Sequence, residues 1–410
     1  MGAPQVLHNR DFVVYWSGVV LSQIGTRGTV AAVYYQVYDL TGSVAYTGLV
    51  GAAQAVALVI LSPLGGALAD RVDRRRLLQA AQLVAMVVAA VLARLTLSGR
   101  AQAWHVVLAV VLTTAAATFD QPARQALIPA LVPRDQIGQA VALLTPSREL
   151  AVLAGPLLAG LLIAAGGPGL MYLVDAVSYG ILVVLLALLR IPVLRYPAGP
   201  ESMVASIVAG ARYIAHRPLI YSLMALDLTA TVFGAYRVLL PALAADVLHV
   251  GATGYGVLSA APSAGALLVT YLVFRTVAHS RRQGKVLLVA TALYGVAAIL
   301  LANSPVFVAA VLAAALVGAF DAMATTIRHA AVQIDTPDEI RGRVTAFYQM
   351  SSRGGPAIGD LVIGAFAGLV GPVVALSAGA LVPIAVAASF WSRDTVVRSY
   401  TGLVPATEDH

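Results

Sequence analysis

Twelve apolar runs of about twenty residues follow one another along the chain, and this succession constrains the fold more than any other feature. A helix of ~20 apolar residues spans the ~30 Å hydrocarbon core of a bilayer and satisfies its own backbone polar groups there. The runs predict spans over 12–38, 44–69, 77–97, 104–128, 138–165, 169–190, 218–245, 252–278, 285–302, 305–332, 340–369 and 371–392. An all-α integral membrane protein is the expected fold class, in keeping with a chain that is 60% hydrophobic and 11% charged. The segment Met1–Asp11 lacks the basic region and cleavage site of a signal peptide, so the first run reads as an uncleaved span.

Charge then orients the spans. A formal charge of +7 would suggest nucleic acid in a soluble chain, but here the basic residues lie in short loops and report topology. With both termini cytoplasmic, 18 of the 26 basic residues fall on the cytoplasmic side, Arg94 and Arg100 on the other, and six inside spans. Only one basic residue is a lysine, Lys285, a skew that hints at a GC-rich bacterial genome. The absence of cysteine excludes disulfides, thiol nucleophiles and Cys-based metal sites. No cofactor or metal site is expected.

The longest internal polar stretch, Pro192–Pro218, divides the chain nearly in half. The expected domains are a six-helix half over 1–191, a cytoplasmic linker over 192–217, and a second six-helix half with a short tail over 218–410. The halves repeat: Gly48–Ala53 matches Gly256–Ala261, Phe119-Asp120 matches Phe320-Asp321, and Val132–Ile137 resembles Thr336–Arg341, at offsets of 201–208 residues. A parallel repeat of six helices around a central pathway is an architecture of secondary transporters.

Between spans two and three, Gly66-x-Leu68-Ala69-Asp70-Arg71-x-x-Arg74-Arg75 resembles the signature of the major facilitator superfamily. Asp73 stands where that signature usually has glycine, so the turn is expected to be looser or capped by the Asp73 side chain. The segments Arg237–Asp246, Gly256–Ala261 and Thr336–Val344 resemble the enterobactin-exporter branch of the superfamily. The resemblance implies twelve helices in two halves around a central cavity, alternating access, and a place in the bacterial inner membrane. It also implies that Asp70 latches the cytoplasmic side against the start of span eleven, where Arg341 and Arg343 are available. The alternative use of Arg71, Arg74, Arg75 and Arg76 is to enforce topology alone.

Twelve ionisable residues lie inside spans: Arg27, Asp120, Arg124, Arg148, Glu149, Asp175, Asp227, Arg237, Asp321, Arg328, Arg353 and Asp360. Each costs about 2.5–3.5 kcal/mol on insertion scales, so each needs a partner, a wet cavity or a role. The six and six balance of signs favours structural pairing, with Arg124, Arg148, Arg237, Arg328 and Arg353 as the cationic members. Asp120 and Arg124 stand one turn apart, Asp321 and Arg328 two turns, as do Arg353 and Asp360.

In the resembled fold spans one, four, seven and ten line the cavity, which implies Arg27, Asp120 and Asp321 as cavity residues. Tyr34, Phe233 and Tyr236 could join them, since a cation beside aromatic faces suits an acidic or catechol-bearing amphiphile; the three tyrosines Tyr34, Tyr35 and Tyr38 could equally form an interfacial belt. The segment Gly155–Gly160 only partly keeps the superfamily's antiporter motif, with Ala151 and Ala159 at glycine positions. For proton coupling the candidate carboxylates are Asp227, Glu149 and Asp360. Asp227 stands first because its own span offers no cation within two turns, the alternative being a salt bridge to another helix.

The expected function is a proton-coupled exporter of a siderophore-like or amphiphilic small molecule, acting as a monomer in the lipid bilayer. The alternative is a multidrug efflux antiporter, and a receptor or scaffold without transport is the third reading. An enzyme is not expected: the chain has no zinc-protease motif, nucleophile elbow or phosphate loop, and the lone His329 of its span reads as structural.

Overall fold

The first helix, α1 (Arg10–Thr41), begins where polar residues meet the first apolar run. Asn9 caps it, its side-chain oxygen accepting the N–H groups of Asp11 and Phe12 at 3.1 and 3.2 Å while Nδ2 donates to the Leu131 carbonyl at 2.8 Å. The helix stops at Gly42, whose φ of 60° is open to glycine at little cost, and the Gly42 N–H returns to the Tyr38 carbonyl. The computed structural model describes residues 5–69, 73–189, 203–276, 282–393 and 395–402. Among these, all regular elements are helical.

After α1 come α2 (Val44–Ala69), α3 (Arg74–Leu97), α4 (Ala103–Leu131), α5 (Ile137–Gly166) and α6 (Pro168–Leu188), within a few residues of the runs read from the sequence. Then follow α7 (Met203–Ala215), α8 (Pro218–Phe233), the single turn α9 (Leu240–Ala242), α10 (Gly251–Thr276), α11 (Gln283–Ala302), α12 (Phe307–Ile334), α13 (Asp338–Val370), α14 (Pro372–Arg393) and the short α15 (Thr395–Arg398). Ten helical segments among the described residues are long and apolar enough to cross a membrane. The 32-residue α1 falls below them in hydropathy because Ser22, Gln23, Thr26 and Arg27 interrupt its apolar run.

Two expectations need refinement. The stretch 192–217, read as polar linker, contains the helix α7, which packs Gly210 against the backbone of Arg343. The run over 218–245 is not one helix: α8 ends at Phe233, and a 3-10 turn at Arg237–Leu239, α9 and a π-helical turn at Leu243–Val247 continue it. Such a break is tolerated in a membrane where the freed backbone groups find partners. Here the Tyr294 hydroxyl of α11 donates to the Gly234 carbonyl at 2.7 Å.

By packing, the chain forms two compact units. The first comprises 1–42, 52–203 and 250–260; the second comprises 43–51, 204–249 and 261–410. In the first, α1 packs on α5 and α6, and α3 on α4 and α6, around buried Phe12, Tyr15, Leu78, Leu127, Leu182 and Leu186. In the second, α11 packs on α12 and α14, and α13 on α8 and α14, around Ile220, Leu223, Leu287, Leu288, Ile327 and Val344.

Apolar residues also cover the outside. Leu83, Val84, Val87 and Val91 of α3, Val177, Ile181, Val184 and Leu188 of α6, and Val308, Leu312 and Leu316 of α12 are exposed at helical spacing. Stripes of that kind suit contact with lipid. Between helices in lipid, association rests on close van der Waals fit, so interfaces are built from small residues. In the first unit a Cβ on Gly160 would meet the Gly256 Cα at 2.8 Å; in the second, one on Gly364 would meet the Gly48 Cα at 2.7 Å.

Candidate transport site

In the first unit, four side chains close a hydrogen-bonded ring across three helices. Arg124 Nε of α4 donates to Asp120 Oδ2 at 2.6 Å, one turn back on the same helix. Its Nη2 donates to Ser22 Oγ of α1 at 3.2 Å, Ser22 donates to Gln82 Oε1 of α3 at 3.2 Å, and Gln82 Nε2 donates back to Asp120 Oδ1 at 2.5 Å. Ion pair and amide thus satisfy one another at bilayer depth, which offsets the cost of placing both charges there. One donor is left over: Arg124 Nη1 is buried without a partner.

That guanidinium stands between two cavities of the same unit. On one side, about 190 Å³ is walled by Thr26, Thr29, Thr113, Thr114, Gln82 and Tyr179. On the other, about 440 Å³ is lined by Tyr15, Gln23, Gln121, Gln125 and Arg148. The second volume is within the range of small-molecule sites. A planar guanidinium with a spare N–H, flanked by amide and hydroxyl groups, is suited to a carboxylate or phenolate oxygen.

The second unit carries a related cluster. Arg328 of α12, 1% exposed, donates through Nη2 to Asp227 Oδ1 of α8 at 2.7 Å, and Asp321 lies 3.9 Å from the same nitrogen. Thr325 Oγ1 accepts from Nη2 at 2.9 Å. Arg124 and Arg328 stand 204 residues apart, and Ser22 and Asp227 stand 205 apart, both within the offsets of the sequence repeat. The two halves therefore use one device with a different acceptor: a hydroxyl in the first, a carboxylate in the second.

Asp227, expected to lack a cation in its own span, takes one from a neighbouring helix; this is the cross-helix salt bridge left open as the alternative. Arg237, in the 3-10 turn after α8, lies 5.9 Å from the Tyr236 ring centroid and in the electrostatic field of Asp360 and Asp321. Asp360 of α13 is 6% exposed and packs where Gly51 leaves room for its Cβ. Arg148 and Glu149 pair with each other at 3.6 Å and remain half-exposed. His329 meets the Tyr348 ring edge-on at 4.9 Å, a packing contact.

The remaining candidates divide. Arg27 is exposed on a different face of α1 from Ser22, Thr26 and Thr29, and α5 approaches its Cβ at Gly155. Tyr34 is buried, 5% exposed, and its neighbour Tyr35 meets the Tyr255 ring at 5.5 Å. Phe233 and Tyr236 flank the break after α8, Phe233 exposed and Tyr236 buried. Asp70 and Arg71 lie outside the described residues, and the side-chain positions at Gly66 and Arg353 are likewise outside the description. Asp73 does cap its turn, its Oδ1 accepting the Arg75 N–H at 2.9 Å. Arg75 donates to the Ala187 carbonyl at 2.8 Å, and Arg74 and Arg343 are also engaged. Arg341 pairs with Asp338 and donates to the carbonyls of Gln333 and Thr336, which ties it to its own loop.

Ser22, Gln82, Thr26 and Tyr179 were not singled out in the sequence. A polar stripe at Ser22, Thr26 and Thr29, with spacings of four and three inside an apolar run, is the signal that could have found the α1 members.

Comparison with known proteins fits this architecture. The model of the transmembrane secretion effector family matches residues 3–399. The enterobactin exporter EntS of Salmonella typhimurium is 31% identical over 353 residues, covering 84% of this chain and 83% of that protein. Its counterpart in Shigella boydii is 32% identical over 263 residues, 64% of this chain and 62% of that one. Among solved structures, a bacterial homologue of the human lysosomal transporter Spinster superposes with a TM-score of 0.75 at 14% identity, covering 99% and 100% of the two chains. A D-xylose–proton symporter superposes with a TM-score of 0.71 at 13% identity, covering 97% and 100%. With its membrane helices, its internal repeat and its buried charges on equivalent helices, the chain belongs to the transmembrane secretion effector family of the major facilitator transporters.

Proposed function

We propose that this transporter exports a siderophore-like, catechol- or carboxylate-bearing small molecule, driven by protons through alternating access of two six-helix halves over 1–191 and 218–410. It works as a monomer in the bacterial plasma membrane with both termini cytoplasmic, an orientation supported by the 18 basic residues on that side. The observation that carries the substrate reading is Arg124, which lines both cavities of the first unit and whose buried Nη1 has no hydrogen-bond partner. An acidic oxygen supplies the acceptor this donor lacks, and the relatives named enterobactin exporters act on a substrate of that name. Arg27 of the first unit and Phe233 and Tyr236 of the second remain further substrate candidates, each on its own unit, and Asp70, Arg341 and Arg343 remain the gating candidates.

The buried Asp227–Arg328 pair supports a structural role for Asp227, which leaves Glu149 and Asp360 of the original coupling candidates. Transport into inverted vesicles tests the reading. A catecholate siderophore should accumulate when a proton gradient is imposed, and Arg124→Lys, which keeps a cation beside Asp120 but loses the planar guanidinium, should raise its apparent KM. Accumulation of a lipophilic cation in its place would assign multidrug efflux, and accumulation of neither would leave a binding or scaffold role.

A further inference from the structure

Asp175 of α6 is a fully buried carboxylate in the first unit's membrane helices, and no described cation stands in ion-pair contact with it. Its residue surface is 0% exposed, and α1 accommodates it only because position 25 is glycine: a Cβ there would meet Asp175 Oδ1 at 2.5 Å and Ser178 Oγ at 2.7 Å. Ser178 donates to Oδ1 at 3.3 Å. The hydroxyls of Thr29 on α1 and Tyr179 on α6 also act on the carboxyl, while Asp175 Oδ2 and Thr29 Oγ1 are each buried without a hydrogen-bond partner of good geometry. A bare carboxylate buried without a cation is far more costly than the neutral acid. A proton on Oδ2 removes the charge and supplies a donor for which Thr29 Oγ1 is the neighbouring acceptor.

The elements packed around α6 bring no compensating charge. From α1 the facing groups are Thr26 and Thr29, with Arg27 turned toward α5. From α3, Arg75 is engaged at the Ala187 carbonyl, three turns away, Arg94 is exposed and exerts no electrostatic effect on Asp175, and Gln82 belongs to the Arg124 ring. From α5, Arg148 and Glu149 pair with each other. The charged pair Asp120–Arg124 of α4 acts on Tyr179 and not on Asp175.

A path leads out of this site. Tyr179 Oη and Thr26 Oγ1 are 2.8 Å apart, and both line the cavity of about 190 Å³ that Asp120 and Arg124 share. We infer that Asp175 is a proton-binding site of the transporter, neutral while α1 and α6 are closed on it, and connected to the first unit's polar cavity through Tyr179 and Thr26. On release the carboxyl O–H bond breaks and its proton passes to the oxygen of Tyr179, the hydroxyl that acts on this carboxyl. The phenol proton moves to Thr26, whose own hydroxyl proton leaves the Ser22 carbonyl and passes to a cavity water, and a carboxylate is left behind. Such a step couples to substrate movement only on the transport reading above; the site itself does not depend on it.

Infrared spectroscopy of the full chain in lipid nanodiscs at pH 7 tests the inference without a substrate. The wild-type minus Asp175→Asn difference should show the C=O stretch of a protonated carboxyl, and that band should persist in Asp321→Asn and Glu149→Gln, whose side chains are part-exposed. In Tyr179→Phe the band should remain but shift more slowly after transfer to D₂O. A difference spectrum with no such band, or with a carboxylate band in its place, overturns the proposal. Should Asp175→Asn not fold, Asp175→Glu in protein labelled with carboxyl-¹³C aspartate serves instead: the band should lose its isotope shift, and a band that keeps it refutes the assignment. A band present in protein that exports nothing would remove the export reading and leave the proton site standing.

Discussion

Replacing Asp227 by Asn should destabilise the second unit severely, because it strands a guanidinium with almost no access to water. Arg328 is 1% exposed and Asp227 4% exposed, and the two meet at 2.7 Å. At an effective dielectric of ~20 that contact is worth about 6 kcal/mol in Coulomb terms, and the 3.9 Å approach of Asp321 about 4 kcal/mol, before the cost of desolvation. Asp227→Asn loses the first and keeps the second, so the net cost should approach the about 3–5 kcal/mol seen when one partner of a buried pair is removed. Asp321 is 47% exposed, where solvent screens the pair, and Asp321→Asn should cost about 1 kcal/mol or less. Thermal unfolding of the detergent-solubilised protein, followed by tryptophan fluorescence, should show a fall of several degrees for Asp227→Asn and little change for Asp321→Asn. Arg328→Gln should be as damaging, and the double variant Asp227→Asn/Arg328→Gln should cost clearly less than the two single losses combined. Additive losses, or an Asp227→Asn protein that melts with the wild type, would refute the claim that these two charges compensate each other.

Other perturbations follow from single contacts. Tyr294→Phe removes the donor to the Gly234 carbonyl at the break after α8 and should lower stability by about 1–3 kcal/mol, measurable in the same assay. Gly160→Ala places a methyl about where the Gly256 backbone lies and should cost about 1–3 kcal/mol, whereas Gly138→Ala, with open space at its Cβ, should change stability little. Asp73→Ala removes the cap of α3 and should cost about 1 kcal/mol, with Asp73→Asn restoring most of it, read by local hydrogen exchange at Arg74–Leu78.

Much of this architecture was legible because bilayer crossing imposes a length on each helix and a penalty on each charge. Apolar runs placed the long helices within a few residues, Asp120 and Arg124 paired as their one-turn spacing requires, and Asp73 capped the turn where glycine is usual. The break after Phe233 was not legible, since Val238–Ala245 remains apolar throughout and the Tyr294 hydroxyl that supports the break lies 60 residues away. Nor was the partner of Asp227: its own span has no cation within reach, and Arg328 arrives from a helix 101 positions along the chain.

Local rules of hydrophobicity, periodicity and charge reach only a few residues along the chain, and they sufficed for the membrane class, the helix positions, the repeat and the inventory of buried charges. Which charges meet depends on how helices are rotated and how closely they approach, and that is set by shape at positions such as Gly25, Gly160 and Gly256. Packing therefore distinguishes acids that looked alike in sequence: Asp120 and Asp227 are neutralised by arginines, while Asp175 lies against Gly25 among hydroxyl groups, with no described cation in ion-pair contact.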